Sequence, residues 1–221
     1  MNQKIERKSA FTLAEVTIVL MILGIIAIIV IPSLINNYRE HTTVSKVKKV
    51  YSQLNQAYLM SIAYNGPPSQ WNLENGTSAA AARKIAQYII PYMNITKDCE
   101  TASRCLKYPE DVKTLSGGTA PYNLNAGYYY KVIIIDNSYL IFANTKNHCT
   151  GSIGGYTNSC AQIFFDINGN NLPNAFGKDI FAVTLTSEGL KPNKSNDCTK
   201  FNPGNGCLNY IIKNNNMNYL H

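Results

Sequence analysis

Charged residues are scarce in this chain: Asp, Glu, Lys and Arg make up 15% of its 221 residues, against roughly a quarter in a typical soluble domain. No block of basic residues of the kind that follows a phosphate backbone occurs, so the net charge of +7 does not indicate a specific nucleic-acid partner. Gly-x-Ser-x-Gly, Walker and dinucleotide-binding motifs are also absent, and the three histidines are scattered along the chain. These absences predict a protein without enzymatic activity.

Charge is also missing from a long run near the N-terminus. Between Glu15 and Arg39 lie 23 consecutive uncharged residues, and Glu15 is the single charge from Phe11 to Ile35. A helix of about 20 apolar residues crosses a bilayer, whereas the apolar core of a signal peptide has about 7 to 15. Basic residues precede the run, so the positive-inside rule predicts a single-pass membrane protein with a cytoplasmic N-terminus and the rest of the chain outside.

The start of this run carries a family resemblance. Residues 8–15 read Lys-Ser-Ala-Phe-Thr-Leu-Ala-Glu, in which a basic leader ends in a small residue, followed by Phe and, four residues later, by an acid. In this pattern the chain resembles the type IV pilins and the pseudopilins of type II secretion. The resemblance is close from Lys8 to about Tyr38 and looser to about Tyr64.

The resemblance implies a processing site and a set of assembly residues. In the family, a membrane peptidase cuts between a small residue and Phe and then methylates the new amino terminus, which here implies cleavage between Ala10 and Phe11. Ala10 departs from the family norm, which is Gly. Glu15 corresponds to the family's acid at the fifth mature position, and Gly24 and Pro32 match a Gly and a Pro that loosen the helix.

The resemblance also implies partners and a location. The partners would be the prepilin peptidase and methylase, an inner-membrane assembly platform, and other copies or other pilin-like subunits in a helical filament. The protein would sit in the inner membrane before processing and in a periplasmic or extracellular filament afterwards. Sequence alone does not separate a pseudopilus from a surface pilus.

Glu15 poses an electrostatic problem within the apolar run. A carboxylate in the hydrocarbon costs a few kcal/mol unless it is paired, and its own helix offers no opposite charge. We expect the amine that cleavage creates on Phe11 of a neighbouring subunit to pair with it and to set the register between subunits. Gly24 and Pro32 weaken the helix and favour local melting or kinking there. The alternative is that both are simply tolerated, as they often are in membrane helices.

After Pro32 the apolar positions become periodic, with spacings of three and four from Val44 to Tyr58, which predicts an amphipathic helix packed on a globular head. Asn65-Gly66-Pro67-Pro68 ends it. We therefore expect a leader (1–10), a transmembrane and stem helix (11–64) and a head (65–221). The fold class is α+β, with a pilin-like antiparallel β-meander against the helix. The predicted head elements are a helix over 78–88, strands over 128–135, 139–143, 161–167 and 180–185, and a frayed C-terminus at 214–216.

All six cysteines fall in the predicted head, as three close pairs separated by long gaps. Because short loops close at the smallest entropic cost, local disulfides are the natural pairing. No C-x-x-C motif occurs, which disfavours a zinc site. The predicted pairs are Cys99 with Cys105, Cys149 with Cys160, and Cys198 with Cys207.

Residues 166–179 are dense in oxygen ligands. Asp166, Asn168 and Asn170 follow the 1, 3, 5 spacing of a calcium loop, and Asp179 closes the segment. The remaining EF-hand positions do not fit, because neither the sixth residue is Gly nor the twelfth an acid. The resemblance adds that major pseudopilins carry a calcium-binding loop near this part of the head. The alternative is an Asx- and Gly-rich hairpin loop without an ion. No other cofactor is expected.

The function that we expect is structural: a subunit of a type II secretion pseudopilus or of a type IV pilus-like filament, polymerised through its N-terminal helix. One alternative is a surface pilin used in adhesion or DNA uptake. Another is a monomeric, membrane-anchored binding protein, which would keep the apolar run but would need neither the Ala10-Phe11 bond nor Glu15.

Overall fold

The computed structural model describes residues 11–108, 111–194 and 198–221. Its first element, α1 (Leu13–Asn65), is α-helical through both Gly24 and Pro32, so the expected local melting is not seen. Pro removes a single backbone donor, and a Cβ built on Gly24 would meet nothing within 4 Å. The chain divides between His41 and Thr42 into two compact units, which share this helix.

The first unit contains the N-terminal part of α1, and its apolar side chains are exposed. Ile28 and Ile29, for example, are 75% and 71% exposed. This part of the helix is long and apolar enough, by length and composition, to cross a membrane.

In the second unit the rest of α1 is amphipathic, as predicted. Val44, Val47, Val50 and Leu54 are buried at spacings of three and four. The helix ends at Asn65, where Gly66 takes a left-handed φ of 73° before two prolines that cannot continue it. The predicted second helix is confirmed as α2 (Ala79–Ile89), which Ser78 caps by accepting a hydrogen bond from the Ala81 N–H at 3.1 Å.

The head is built on an antiparallel sheet with the strand order β1-β2-β3-β5-β6-β7, and β4 pairs with β5. The strands are β1 (Ile95–Glu100), β2 (Tyr130–Ile134), β3 (Tyr139–Thr145), β4 (Gly151–Ile153), β5 (Tyr156–Asp166), β6 (Ile180–Thr186) and β7 (Gly189–Pro192). The four predicted strands correspond to β2, β3, β5 and β6, whereas β1, β4 and β7 were not predicted. The α+β arrangement of a long helix on an antiparallel sheet is confirmed.

Both faces of the sheet are buried. Leu140 and Phe142 of β3 join α1 and α2 in one hydrophobic core, while Tyr139 and Ile141 join a second core on the opposite face. Irregular chain within residues 101–108 and 111–129 supplies much of that second cover, including Leu106 and other apolar side chains. Because β5 is covered on both of its faces, it is buried continuously from Ser159 to Asp166 instead of alternating.

The C-terminus is docked, so the predicted fraying is wrong. A third helix, α3 (Cys207–Asn214), is capped by the following residue, Asn215, which takes a left-handed φ of 57°. Beyond it Met217 and Tyr219 are buried, and the Tyr219 hydroxyl donates to the Gly177 carbonyl at 2.6 Å. Apolar side chains after the polar Asn run therefore anchor the end of the chain.

Candidate functional site

The N-terminal end of α1 is closed by a capping box. The Glu15 carboxylate accepts hydrogen bonds from the Thr12 backbone N–H at 2.8 Å and from the Thr12 hydroxyl at 2.9 Å. In return the Thr12 hydroxyl accepts from the Glu15 N–H at 3.2 Å. This reciprocal arrangement satisfies backbone donors that a helix start otherwise leaves unpaired.

The capping box gives Glu15 hydrogen-bond partners in its own helix that we did not predict, and the predicted lack of an opposite charge there stands. The offset is hydrogen bonding rather than opposite charge, so the carboxylate still lacks a counter-ion among the residues described near it. The signal was present in the sequence, since Thr12-Leu13-Ala14-Glu15 is the S/T-x-x-E pattern of a capping box. Phe11 is 86% exposed beside it. Ala10, the other half of the predicted cleavage site, lies outside the described residues.

The structure joins all six cysteines in the three predicted disulfides, Cys99–Cys105, Cys149–Cys160 and Cys198–Cys207. Cys149 and Cys160 lie in the main core beside the sheet. Cys207 begins α3, so the third bridge ties the loop before that helix to its first turn. Each bridge fixes a loop of the head, as local pairing should.

The predicted oxygen-rich loop forms a buried carboxylate pair between β5 and β6. Asp166 is fully buried, and its Oδ1 accepts from the N–H groups of Asn168 and Gly169, each at 3.0 Å. Asp179 is 2% exposed, and its carboxylate accepts from the Asn174 and Ala175 N–H groups at 2.8 and 2.7 Å. The loop thus folds around its two acids.

Asn168 bridges the two acids, because its Nδ2 also donates to Asp179 Oδ2 at 3.2 Å. Three polar atoms in this cluster are buried without a hydrogen-bond partner among the described residues: Asp166 Oδ2, Asn168 Oδ1 and the Tyr108 hydroxyl. The Tyr108 hydroxyl lies close enough to Asp166 to lower the pKa of that carboxyl. However, no hydrogen bond of ordinary geometry joins the Tyr108 hydroxyl to Asp166 Oδ2. Buried oxygens without donors are what a bound cation would satisfy.

The pKa values of both carboxyl groups in the pair are raised. Burial raises the pKa of Asp166 well above its usual range, and the nearby Asp179 charge adds to the effect. Burial also raises the pKa of Asp179, although the N–H groups that bond to its carboxylate oppose the shift. Two carboxyl groups that resist ionisation in this way would be stabilised as anions by a divalent cation.

The structure brings together three of the four predicted ligands, Asp166, Asn168 and Asp179. Asn170 is exposed, and the hydrogen bonds that link Asp166, Asn168 and Asp179 do not include its side chain, so its role as a ligand stays a prediction. Tyr108 and Asn174 were missed. Asn174 could have been suspected from its place in the Asn-rich loop, but Tyr108 arrives from a distant segment and left no local signal.

The Asn174 side chain bonds to the backbone of the same loop. With its nitrogen turned toward the loop carbonyls, the Asn174 amide donates to Asn171 O at 3.0 Å and to Gly169 O at 3.2 Å. No group of three or more His, Cys, Asp or Glu side chains converges within 11–108, 111–194 and 198–221. A cation here would therefore combine two carboxylates with amide and carbonyl oxygens, a donor set suited to calcium.

Comparison with known proteins identifies one family. Residues 33–215 match a family of unknown function, DUF6613. The match covers more than half of the chain, including the amphipathic part of α1 and nearly all of the head, so the chain belongs to this family. No curated protein and no solved structure matches the chain.

Proposed function

We propose that this member of DUF6613 is a non-enzymatic, pilin-like filament subunit, held in a membrane by α1, cut between Ala10 and Phe11, and polymerised through the same helix. The observation that carries the proposal is the 8–15 string placed at the start of a long, apolar, exposed helix. That helix continues into a disulfide-linked head. A simple anchor would need the apolar helix but not the string.

The exposed apolar surface of α1 supports assembly. From Phe11 to Ile35 the large apolar side chains are almost all exposed, and such a surface requires lipid or other helices to cover it. Small residues allow helices to approach closely, and the space around Gly24 is open to 4 Å. We propose that lipid covers this surface before assembly and that neighbouring subunits cover it afterwards.

Glu15 provides the registration step. In the single chain its carboxylate is oriented by hydrogen bonds from Thr12, and no described residue near it supplies an opposite charge. Removal of the leader would place a cationic amine on Phe11, one residue before Thr12. In a filament, that amine of one subunit would neutralise the Glu15 carboxylate of another, and the pairing would fix the offset between neighbours.

The head forms the outer surface in this proposal. Three disulfides require an oxidising compartment, which agrees with a head outside the cytoplasm. A calcium ion held by Asp166 and Asp179, with the Asn168 amide oxygen, would stiffen the loop between β5 and β6. The ion would supply the positive charge that the buried pair lacks.

The proposal is tested by the mature N-terminus. We expect mass spectrometry of the protein from assembled filaments to show a chain beginning at a methylated Phe11. Ala10→Gly restores the residue that is usual in the pilin family and should be processed at least as completely. Ala10→Leu should block cleavage and filament formation while leaving the protein in the membrane. Filaments built from chains that still begin at Met1 would contradict the proposal and favour a monomeric anchored protein.

A further inference from the structure

An open cavity of about 740 Å³ lies on the face of the sheet opposite α1. Its floor includes Ala143 of β3 and Phe164 of β5, both of which belong to the second hydrophobic core. Its volume falls within the roughly 300–1,000 Å³ of ordinary ligand sites. The cavity is separate from the carboxylate pair, because neither acid lines it.

The lining of this cavity is rich in amide side chains and poor in charge. Five Asn or Gln residues contribute to it, whereas Lys194 is the one formally charged side chain among the described lining residues. The Lys194 ammonium lies 4.4 Å from the centre of the Tyr156 ring, which engages its charge. A strongly charged ligand would find few counter-charges here, whereas a neutral polar ligand would find both donors and acceptors.

Two of the amides are fixed in place by internal hydrogen bonds. Gln162 Nε2 donates to Val183 O at 3.0 Å and to Asn193 Oδ1 at 3.2 Å, and the Thr184 hydroxyl donates to the same Asn193 oxygen at 2.8 Å. No hydrogen bond within the described part of the chain uses Gln162 Oε1 or Asn193 Nδ2. One acceptor and one donor, held at the cavity wall, are therefore left for a ligand.

The rim of the cavity is rigid for reasons of backbone geometry. Gly154 has a φ of 59°, and a Cβ at this position would collide with Thr184 and Asn193, so only Gly allows the β4–β5 hairpin to approach so closely. The Lys194 N–H donates to the Gly154 carbonyl at 2.7 Å. On another side the Cys198–Cys207 disulfide closes the loop that contains residues 202–206. A preformed rim reduces the entropic cost of binding.

Aromatic rings complete the lining. Tyr122 and Tyr129 both border the cavity, and the Tyr122 ring lies 5.0 Å from that of Phe164. Rings next to amides suit a ligand with apolar C–H faces and hydroxyl edges. We infer that this cavity binds a neutral oligosaccharide, with the sugar hydroxyls on the amides and a sugar face on the tyrosines. The inference does not rest on filament assembly.

The test uses the full chain in lipid nanodiscs, because alkyl-glycoside detergents carry sugars that would compete. An array of neutral hexose and N-acetylhexosamine oligosaccharides, with acidic oligosaccharides beside them, should show binding to neutral members. Calorimetric titration then gives the dissociation constant of the strongest neutral oligosaccharide. Failure to bind any neutral oligosaccharide, or binding of acidic ones alone, would overturn the inference.

Two exposed hairpin residues provide a matched pair of variants. Ser152 borders the cavity and Thr157 does not, although both are exposed. Ser152→Trp should fill the rim and weaken neutral-oligosaccharide binding at least about tenfold, a loss of about 1.4 kcal/mol, while Thr157→Trp should bind as the wild type does. Asn144→Ala, which removes a lining amide without filling space, should also weaken binding. If Ser152→Trp folds and binds neutral oligosaccharides with wild-type affinity, the site is overturned. If Ser152→Trp does not fold, wild-type affinity in Asn144→Ala overturns it instead.

Discussion

At the scale of single residues, Glu15 has to serve two states of the protein. In the single chain it completes a capping box with Thr12, which requires a hydrogen-bond acceptor. In the proposed filament it pairs with an amine, which requires a negative charge. Substitutions can separate the two roles. A change at Glu15 removes the negative charge, whereas a change at Thr12 breaks the capping box and keeps that charge.

We predict that Glu15→Ala and Glu15→Gln both leave cleavage intact but strongly reduce filament yield, because each removes the charge. Thr12→Ala is the matched control, since it breaks the capping box at a cost of about 1 kcal/mol of helix stability but keeps the carboxylate. It should retain most of the filament yield. Quantifying sheared filaments, with mass spectrometry of the N-terminus alongside, measures both effects. Equal losses in Thr12→Ala and Glu15→Ala would assign the defect to capping instead of charge.

Lys131 is the second residue with an unusual electrostatic position. It is fully buried in β2, and its Nζ donates to two carbonyls, Ala126 O at 2.7 Å and Tyr129 O at 3.0 Å. Burial lowers the pKa of Lys131 from 10.5 to about 8. Above the folded pKa the native state has released a proton that the unfolded chain still holds. Lys131 therefore makes the protein more stable as pH rises from about 8 towards 10.5.

We predict that Lys131→Met removes this pH dependence. Denaturant unfolding of the full chain should show that wild type gains stability relative to Lys131→Met between pH 8 and pH 9.5, just above the pKa of about 8. Lys97→Met, which changes an exposed lysine of β1, serves as the control and should follow the wild-type curve. If the free energy of unfolding changes with pH in the same way for wild type and Lys131→Met, this lysine does not titrate between pH 8 and pH 9.5.

At the scale of elements, α2 shows how local signals define a helix. Ser78 adopts an extended backbone and its hydroxyl accepts from the Ala81 N–H, and alanines and isoleucines at helical spacing then form one buried face. This hydrogen bond is one of the few ways to satisfy the first N–H groups of the helix. The free energy of unfolding that is lost with it can therefore be predicted. The element depends on both the cap and the buried face.

We predict that Ser78→Ala lowers the free energy of unfolding by about 1 kcal/mol, through loss of the cap. Ser78→Asp is the control, because its carboxylate can accept the same hydrogen bond and favours a helix N-terminus. It should be as stable as the wild type. The measurement is the midpoint of denaturant unfolding, compared at equal slope. A Ser78→Ala variant with the same free energy of unfolding as the wild type would mean that packing of the apolar face alone stabilises α2.

The three strands that were not predicted have common physical features. β1 (Ile95–Glu100) consists largely of polar residues, since it lies at the edge of the sheet, and its register with β2 shifts twice. β4 is only three residues long, and β7 ends in Pro192 at the opposite edge. Edge strands need no apolar alternation, so only pairing in the folded sheet defines them.

At the scale of the whole molecule, the carboxylate pair connects the sheet with its irregular cover. Asp166 ends β5 and Asp179 immediately precedes β6, while Tyr108 belongs to the segment that covers the second face. A cation at this point would therefore stabilise contacts between elements distant in sequence. Because binding to the folded state alone raises stability, the whole head should respond.

We predict that calcium raises the melting temperature of the full chain in detergent micelles, and that a chelator reverses the rise. At a hundredfold excess over the dissociation constant the expected stabilisation is about 2.7 kcal/mol. Magnesium should do less, since it prefers a tighter octahedral shell. A melting temperature that is unchanged across micromolar to millimolar calcium would leave the loop as an ordinary hairpin connection.

Asp166→Asn tests the same site, because it should raise the melting temperature without calcium and abolish the calcium response. The raised pKa of Asp166 means that its contribution to stability is present at low pH and is lost as pH rises through the folded pKa. Without calcium at neutral pH, Asp166→Asn should therefore melt higher than the wild type, and calcium should no longer shift it. Asp111→Asn, at an exposed position, is the control and should keep the wild-type response. A full calcium response in Asp166→Asn would exclude this carboxylate as a ligand.

The sequence by itself determined the features that depend on neighbouring residues. The apolar run, the end of α1 at Asn65, the helix near residues 78–88 and the three local disulfides follow from apolar period, helix-ending residues and short loop closure. The capping box of Thr12 and Glu15 was equally local. Asp166, Asn168 and Asp179 lie together because they belong to one loop, whereas calcium binding there stays a prediction.

Only the tertiary structure decided what depends on segments far apart in the chain. Tyr108 reaches the carboxylate pair, Asn170 is exposed, and the cavity beside Gln162 forms where separate loops meet on one sheet face. The burial of both sheet faces likewise required irregular chain with little periodicity of its own. Local patterns record which face of an element is apolar, but they do not record which distant segment covers it, because that is settled by packing of the whole chain.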